Sequence, residues 1–161
     1  MGSLAKLMSD EADIKALFGQ YMQMWNDRDF AGMAALFAEP SISIGPEGPT
    51  ITPNNAAMAA SLEARFERLE AENFDHTEIE AVVVQLADAD TATDDLKNVR
   101  RLRRDGSAID ELDALYILNR IGGAWKLSVA MAGAPGWRDR KEKREPHGRC
   151  PLSNRLSSLP L

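Results

Sequence analysis

Apolar residues in the first part of the chain recur at spacings of three and four: Ile14, Leu17, Phe18, Tyr21, Met22 and Trp25. That period predicts an amphipathic helix with Ser9 or Asp10 as its cap. Asn26-Asp27-Arg28-Asp29 breaks it. Asp29 is placed to cap a short second helix in which Phe30, Met33, Ala34 and Phe37 share a face, and Pro40 ends it. Ser41 to Ile44 alternates as a strand does, Gly45-Pro46-Glu47-Gly48-Pro49 forces a turn, and Thr50 to Thr52 returns as a second strand. Thr52-Pro53 predicts the start of a third helix running to about residue 72, with Met58, Leu62, Phe66 and Leu69 on one face.

From His76 onward the period is two. Thr77 to Ala87 reads as a strand, followed by a polar stretch with Asp88, Asp90, Asp94 and Asp95, and then a strand around Lys97 to Arg104. Asp105-Gly106 marks a hairpin into a strand from about Ile109 to Arg120, and Gly122-Gly123 turns the chain into Trp125 to Ala132. Helices fill one half and strands the other, which is an α+β arrangement and excludes the alternating units of a parallel sheet. Residues 1–9 read as a disordered lead-in that is vector-derived or precedes a natural start at Met8, and residues 10–133 as the domain. Residues 134–161 read as a basic, disordered tail with scattered leucines and no sustained period.

Charge sharpens that division. The chain of 161 residues carries a net charge of −6, yet residues 138–161 hold seven Lys/Arg against three Asp/Glu. The body is therefore strongly acidic, which argues against nucleic acid as a partner. The hydrophobic runs are too short for a membrane span, and the basic tail lacks the amphipathic period of a membrane-surface helix. The one cysteine, Cys150, permits no intrachain disulfide, which suits a cytoplasmic setting.

The order of elements and several of their residues resemble the nuclear-transport-factor-2-like superfamily, in its SnoaL-like and ketosteroid-isomerase-like branch. The resemblance is carried by Tyr21, Trp25-Asn26, Asp29 and Leu36-Phe37-Ala38, then by Ser41 to Ile44 leading into Gly45-Pro46-Glu47-Gly48. It continues through Arg104-Asp105-Gly106-Ser107, Tyr116-Ile117-Leu118 and Trp125-Lys126-Leu127, so that it covers roughly residues 10 to 133. It implies a cone: a curved antiparallel sheet wrapped against three helices, with an apolar pocket at the open end and homodimerisation through the sheet.

In steroid-isomerising relatives, a first-helix tyrosine holds the substrate oxygen, a first-strand aspartate moves the proton and a later acid supports the oxyanion. Tyr21 matches the tyrosine. The aspartate's place falls at Gly45, and the second acid's near Ala114 or Leu115, with Asp113 offset to the other face. Isomerase chemistry by that route is excluded.

Other chemistry is sparse. His76 follows Asp75 at a strand start and reads as a solvated turn residue; no His/Cys cluster suggests a metal, and no cofactor motif is present. Ser41, Ser43 and Ser128 have only that histidine to share, without a Gly-x-Ser-x-Gly turn. Of the basic run Lys97, Arg100, Arg101, Arg103 and Arg104, most residues are expected to be solvated or paired with the preceding acidic stretch. The sharper alternative is that Arg101 or Arg103 points into the cone and receives an anionic group. Tyr116 and Trp125 are expected on opposite sides of the last hairpin.

Three readings stay open. The first is a domain binding a small, mostly apolar molecule in a pocket lined from Tyr21, Trp25, Phe37, Phe66, Arg101, Tyr116 and Met131. The second is a lyase, isomerase or cyclase with another acid, for which His76, Asp113 and Glu47 are the available proton carriers. The third is a dimerisation module with a filled cone.

Overall fold

A computed structural model of the chain describes residues 2–139, so the expected disorder of the tail from residue 140 onward falls outside the described residues. Three helices, α1 (Gly2–Asn26), α2 (Phe30–Ala34) and α3 (Asn55–Ala71), pack on one sheet. Its strands are β1 (Phe37–Gly45), β2 (Gly48–Thr52), β3 (Phe74–Leu86), β4 (Thr91–Arg103), β5 (Ala108–Ile121) and β6 (Ala124–Gly133), in the order β2-β1-β6-β5-β4-β3. After the β1–β2 hairpin the chain crosses through α3 to the far edge and meanders back. The last strand therefore meets β1 in parallel, and the expected antiparallel sheet is antiparallel at every pairing but this one.

The helix faces are those the sequence period dictates. Ile14, Leu17, Phe18 and Trp25 of α1, with Met58, Leu62, Phe66 and Leu69 of α3, are buried against Leu96, Ala114, Leu118 and Leu127 of the sheet. The hinge is closed by the Asp29 side chain, which accepts from the Gly32 amide at 2.9 Å, and by Arg28, whose guanidinium lies 5.0 Å from the Phe66 ring centre.

Several ends differ from the sequence reading. Helix α1 begins at Gly2, so Asp10 lies inside it; buried, it accepts from Arg120 at 2.6 Å, and Arg120 in turn lies over the Trp125 ring. Asn54, not Thr52, caps α3, accepting from the Ala57 amide. Strand β4 starts at Thr91, inside the stretch read as polar connection, and buries both Asp94 and Asp95. Tyr116 and Trp125 both pack with the helices, because the β5–β6 register shifts between Ile117 and Leu118 and returns the later residues to the same face. Beyond β6, residues 134–139 turn back over the outer face: the Trp137 indole packs on Gly133, and the Gly136 amide donates to Asp113 at 2.9 Å.

Candidate functional site

Between α1, α3 and the inner face of the sheet lies an open cavity of about 290 Å³. Helix α1 supplies Tyr21, Met22 and Trp25, spaced so that one helical face presents all three. Helix α3 supplies Met58, Leu62 and Arg65, and the strands close the rest with mostly small or apolar side chains together with Thr77, Arg101 and Tyr116. The cone is not filled.

Of the residues singled out in the sequence, Tyr21, Trp25, Phe37, Arg101, Tyr116 and Met131 border this cavity. Phe66 does not. It packs 4.9 Å from Trp25 and 5.5 Å from Phe30, ring centre to ring centre, in an aromatic cluster beneath the hinge. Gly45 and Ala114, the two positions where acids were sought, both sit in the wall, and neither brings a carboxylate. A β-carbon built at Gly45 would meet nothing within 4 Å, so the space beside it is open.

The polar end of the cavity is built from two phenols. Tyr21 reaches it from α1 and Tyr116 from β5. Burial raises the Tyr21 hydroxyl above the usual phenol range, opposed by the Arg65 charge, the Tyr116 hydroxyl and Arg101. Burial raises Tyr116 further still, and the neighbouring Tyr21 adds to this. Both are therefore neutral hydrogen-bonding groups at physiological pH.

Arg101 borders the cavity but holds Asp110 with two hydrogen bonds of 2.6 and 2.5 Å. Arg103 lies off the wall and bonds Glu72 and the Ala108 carbonyl. Arg100 pairs with Glu78 and Glu111 on the neighbouring strands and Lys97 with Asp139 beyond β6, so these partners do not come from the acidic stretch before the run.

None of the three suggested proton carriers reaches the cavity. His76 is exposed between Asp75 and Glu78, whose hydrogen bonds raise it above the ordinary imidazole value. Asp113 is buried on the outer side, accepting from the Asn98 and Gly136 amides. Glu47 sits in the β1–β2 turn. Among the described residues no three His, Cys, Asp or Glu side chains converge as a metal site would.

Two residues escaped the sequence reading. Arg65 occupies the cavity side of α3, in line with the stripe Met58, Leu62, Leu69, and a cation within an apolar stripe was the available signal. Asp94 is fully buried (0 % exposed) directly across from Tyr116 on β5. Neither of its oxygens has a hydrogen-bond partner among the described residues. Burial, then the neighbouring Asp95 charge, pushes it up to about 7 against a lesser opposing pull from Lys15. Its alternation with Ala92 and Leu96 was legible as a strand with an acid in an apolar slot.

No curated protein matches the chain. Solved structures do. An NTF2-like protein with a cystatin-like fold from Novosphingobium aromaticivorans superposes with a TM-score of 0.68 at 17% identity, over 81% of this chain and 85% of that one. An NTF2-like protein of unknown function from Pseudomonas putida gives 0.64 at 21% identity, over 80% and 88%. Aln2 from a Streptomyces species gives 0.64 at 17% identity, over 78% and 91%. At these identities the likeness establishes the α+β fold with its cystatin-like sheet. A family model described as NTF2-like protein (DUF6841) matches residues 10–135, nearly the whole of the described domain. The chain belongs to that NTF2-like family.

Proposed function

We propose that the domain binds a small, mostly apolar molecule in the cavity between α1, α3 and the sheet, without isomerase-type proton transfer. The observation that carries this reading is the unfilled cavity itself, whose apolar walls end in two neutral phenols while Gly45 leaves the base position bare. Such a wall desolvates an apolar body and leaves Tyr21 to orient one oxygen, the usual division of labour in a ligand site. Tyr21 at the place of a substrate-holding tyrosine also supports the SnoaL-like branch. Native mass spectrometry of protein purified under mild conditions is expected to carry a bound small molecule. A Tyr21→Phe variant should bind that molecule about tenfold more weakly; unchanged affinity would remove the hydroxyl contact from the proposal.

A homodimer through the outer face of the sheet accompanies this reading. Ile51, Ile42, Val129 and Ile117 lie side by side across four adjacent strands, on the face turned away from the cavity. Ile42 and Ile51 are exposed. A second copy related by a two-fold axis would cover that row with the same row. Sedimentation at micromolar concentration is expected to give a dimer, and an Ile42→Glu variant a monomer. Among the described residues no helix is long and apolar enough to cross a membrane, and a cytoplasmic setting is the one we propose.

A further inference from the structure

We propose that the cavity selects an anionic molecule, a carboxylate on a compact apolar body, and that Arg65 receives the carboxylate beside the Tyr21 hydroxyl. The proposal rests on the binding reading above and names its ligand class. Its basis is the charge of the wall. Among the described residues the charged side chains bordering the cavity are Arg65 and Arg101, and no Asp or Glu borders it; Asp94 faces Tyr116 from the neighbouring strand without bordering it, and the protein as a whole is acidic. A positive cavity in a negative protein is a local arrangement that net composition does not supply.

The two arginines are not equivalent. Arg101 has its guanidinium engaged by both oxygens of Asp110. Arg65 makes no ion pair or side-chain hydrogen bond among the described residues, and its helix cannot provide one. The positions three and four residues away are Ser61, Leu62, Arg68 and Leu69, so no carboxylate stands on its face. Arg65 is also the foremost positive charge acting on both Tyr21 and Tyr116, which locates its field at the phenol end of the cavity. Tyr21 makes no side-chain hydrogen bond among the described residues, so its hydroxyl is available to a ligand. A carboxylate between them would take one hydrogen bond from Tyr21 and a paired contact from the guanidinium, whose planar fork matches it. The volume of about 290 Å³ lies at the small end of ligand cavities and limits the apolar body to a compact ring system.

Matched probes test this: 1-naphthoate and benzoate against 1-naphthamide and benzamide, titrated by calorimetry and by quenching of tryptophan fluorescence. The acids are expected to bind about tenfold more tightly than the amides. An Arg65→Gln variant should erase that preference by weakening acid binding far more than amide binding, Arg65→Lys should restore part of it, and added salt should narrow it. Equal binding of acid and amide by the unaltered protein would overturn the anion proposal and leave the binding reading standing. So would a uniform loss of both in Arg65→Gln with unchanged thermal stability. Binding of neither class, acid or amide, would overturn both.

Discussion

Asp94 and Asp95 are consecutive residues of β4, both buried, and they face opposite sides of the sheet. On the outer side, Asp95 meets the Arg138 guanidinium, and nearby Asp113 accepts two backbone amides, from Asn98 at 2.8 Å and Gly136 at 2.9 Å. These carboxylates fasten the segment 134–139 to the strands. On the inner side, Asp94 faces the core beside Tyr116 with no partner for either oxygen among the described residues. The same side chain is an anchor in one place and a liability in the other. What separates them is whether a donor arrives from another segment, since burial is common to both.

The largest expected effect comes from Asp94. Its folded value of about 7 stands above the ordinary 3.8, so between those values the folded state keeps a proton that the unfolded chain has released. Stability is therefore full below about pH 4, falls as pH rises and levels off above the folded value, a loss on the order of 4 kcal/mol at most. Urea denaturation at pH 5 and pH 8 is expected to show this fall, and Asp94→Asn to remove most of it. Exposed His76, also raised, contributes in the same direction, since its stabilising proton is lost as pH rises through its folded value. A fall that survives in Asp94→Asn and disappears in His76→Gln would reverse the assignment and break the contrast between the two faces.

On the outer face the sign is opposite, and removing a carboxylate should hurt. Asp113→Ala strips the acceptor from two amides and is expected to cost about 2–3 kcal/mol; Asp95→Ala, which leaves Arg138 alone, about 1–2 kcal/mol. Both should speed hydrogen exchange of the Gly136 and Trp137 amides before global unfolding. If Asp95→Ala stabilised the protein, as relief of an unpartnered charge would, the distinction between the faces would fail.

The elements were legible where periodicity is unopposed. The stripes of α1 and α3 and the Asp105-Gly106 hairpin are each set by local rules, and tertiary packing agrees with those rules. The miss at β4 has a physical cause. Thr91 to Leu96 carries two adjacent acids, and hydropathy reads them as solvent-facing, whereas the donor to Asp95 comes from Arg138, a separation no local window covers. Arg65 was overlooked for another reason: it is exposed, as a charge on a long flexible stem is ordinarily read, yet its place in line with Leu62 and Leu69 puts it at the open edge of the cavity. The wall of the pocket could be approached from the sequence; its charge required knowing which arginine the acids had already taken.

The smallest expected effect isolates closure from facing. Gly45 is on the inner side, as Asp94 is, but it borders the open cavity, and apart from its chain neighbours no described residue comes within 4 Å of a β-carbon placed there. Gly45→Asp should therefore add a carboxylate to the inner face that keeps its water, with a change in stability within about 1 kcal/mol and no added fall between pH 5 and pH 8. If it destabilised the protein as steeply with pH as Asp94 does, the inner face itself, and not the lack of a partner in a closed space, would be the cause. The same variant bears on recognition. A carboxylate across the cavity from Arg65 competes for its charge, so 1-naphthoate binding should fall toward that of 1-naphthamide while amide binding stays near its original level. Inner-face carboxylates would then be tolerated where water reaches them, and would weaken the binding of an acid where they share the cavity with Arg65.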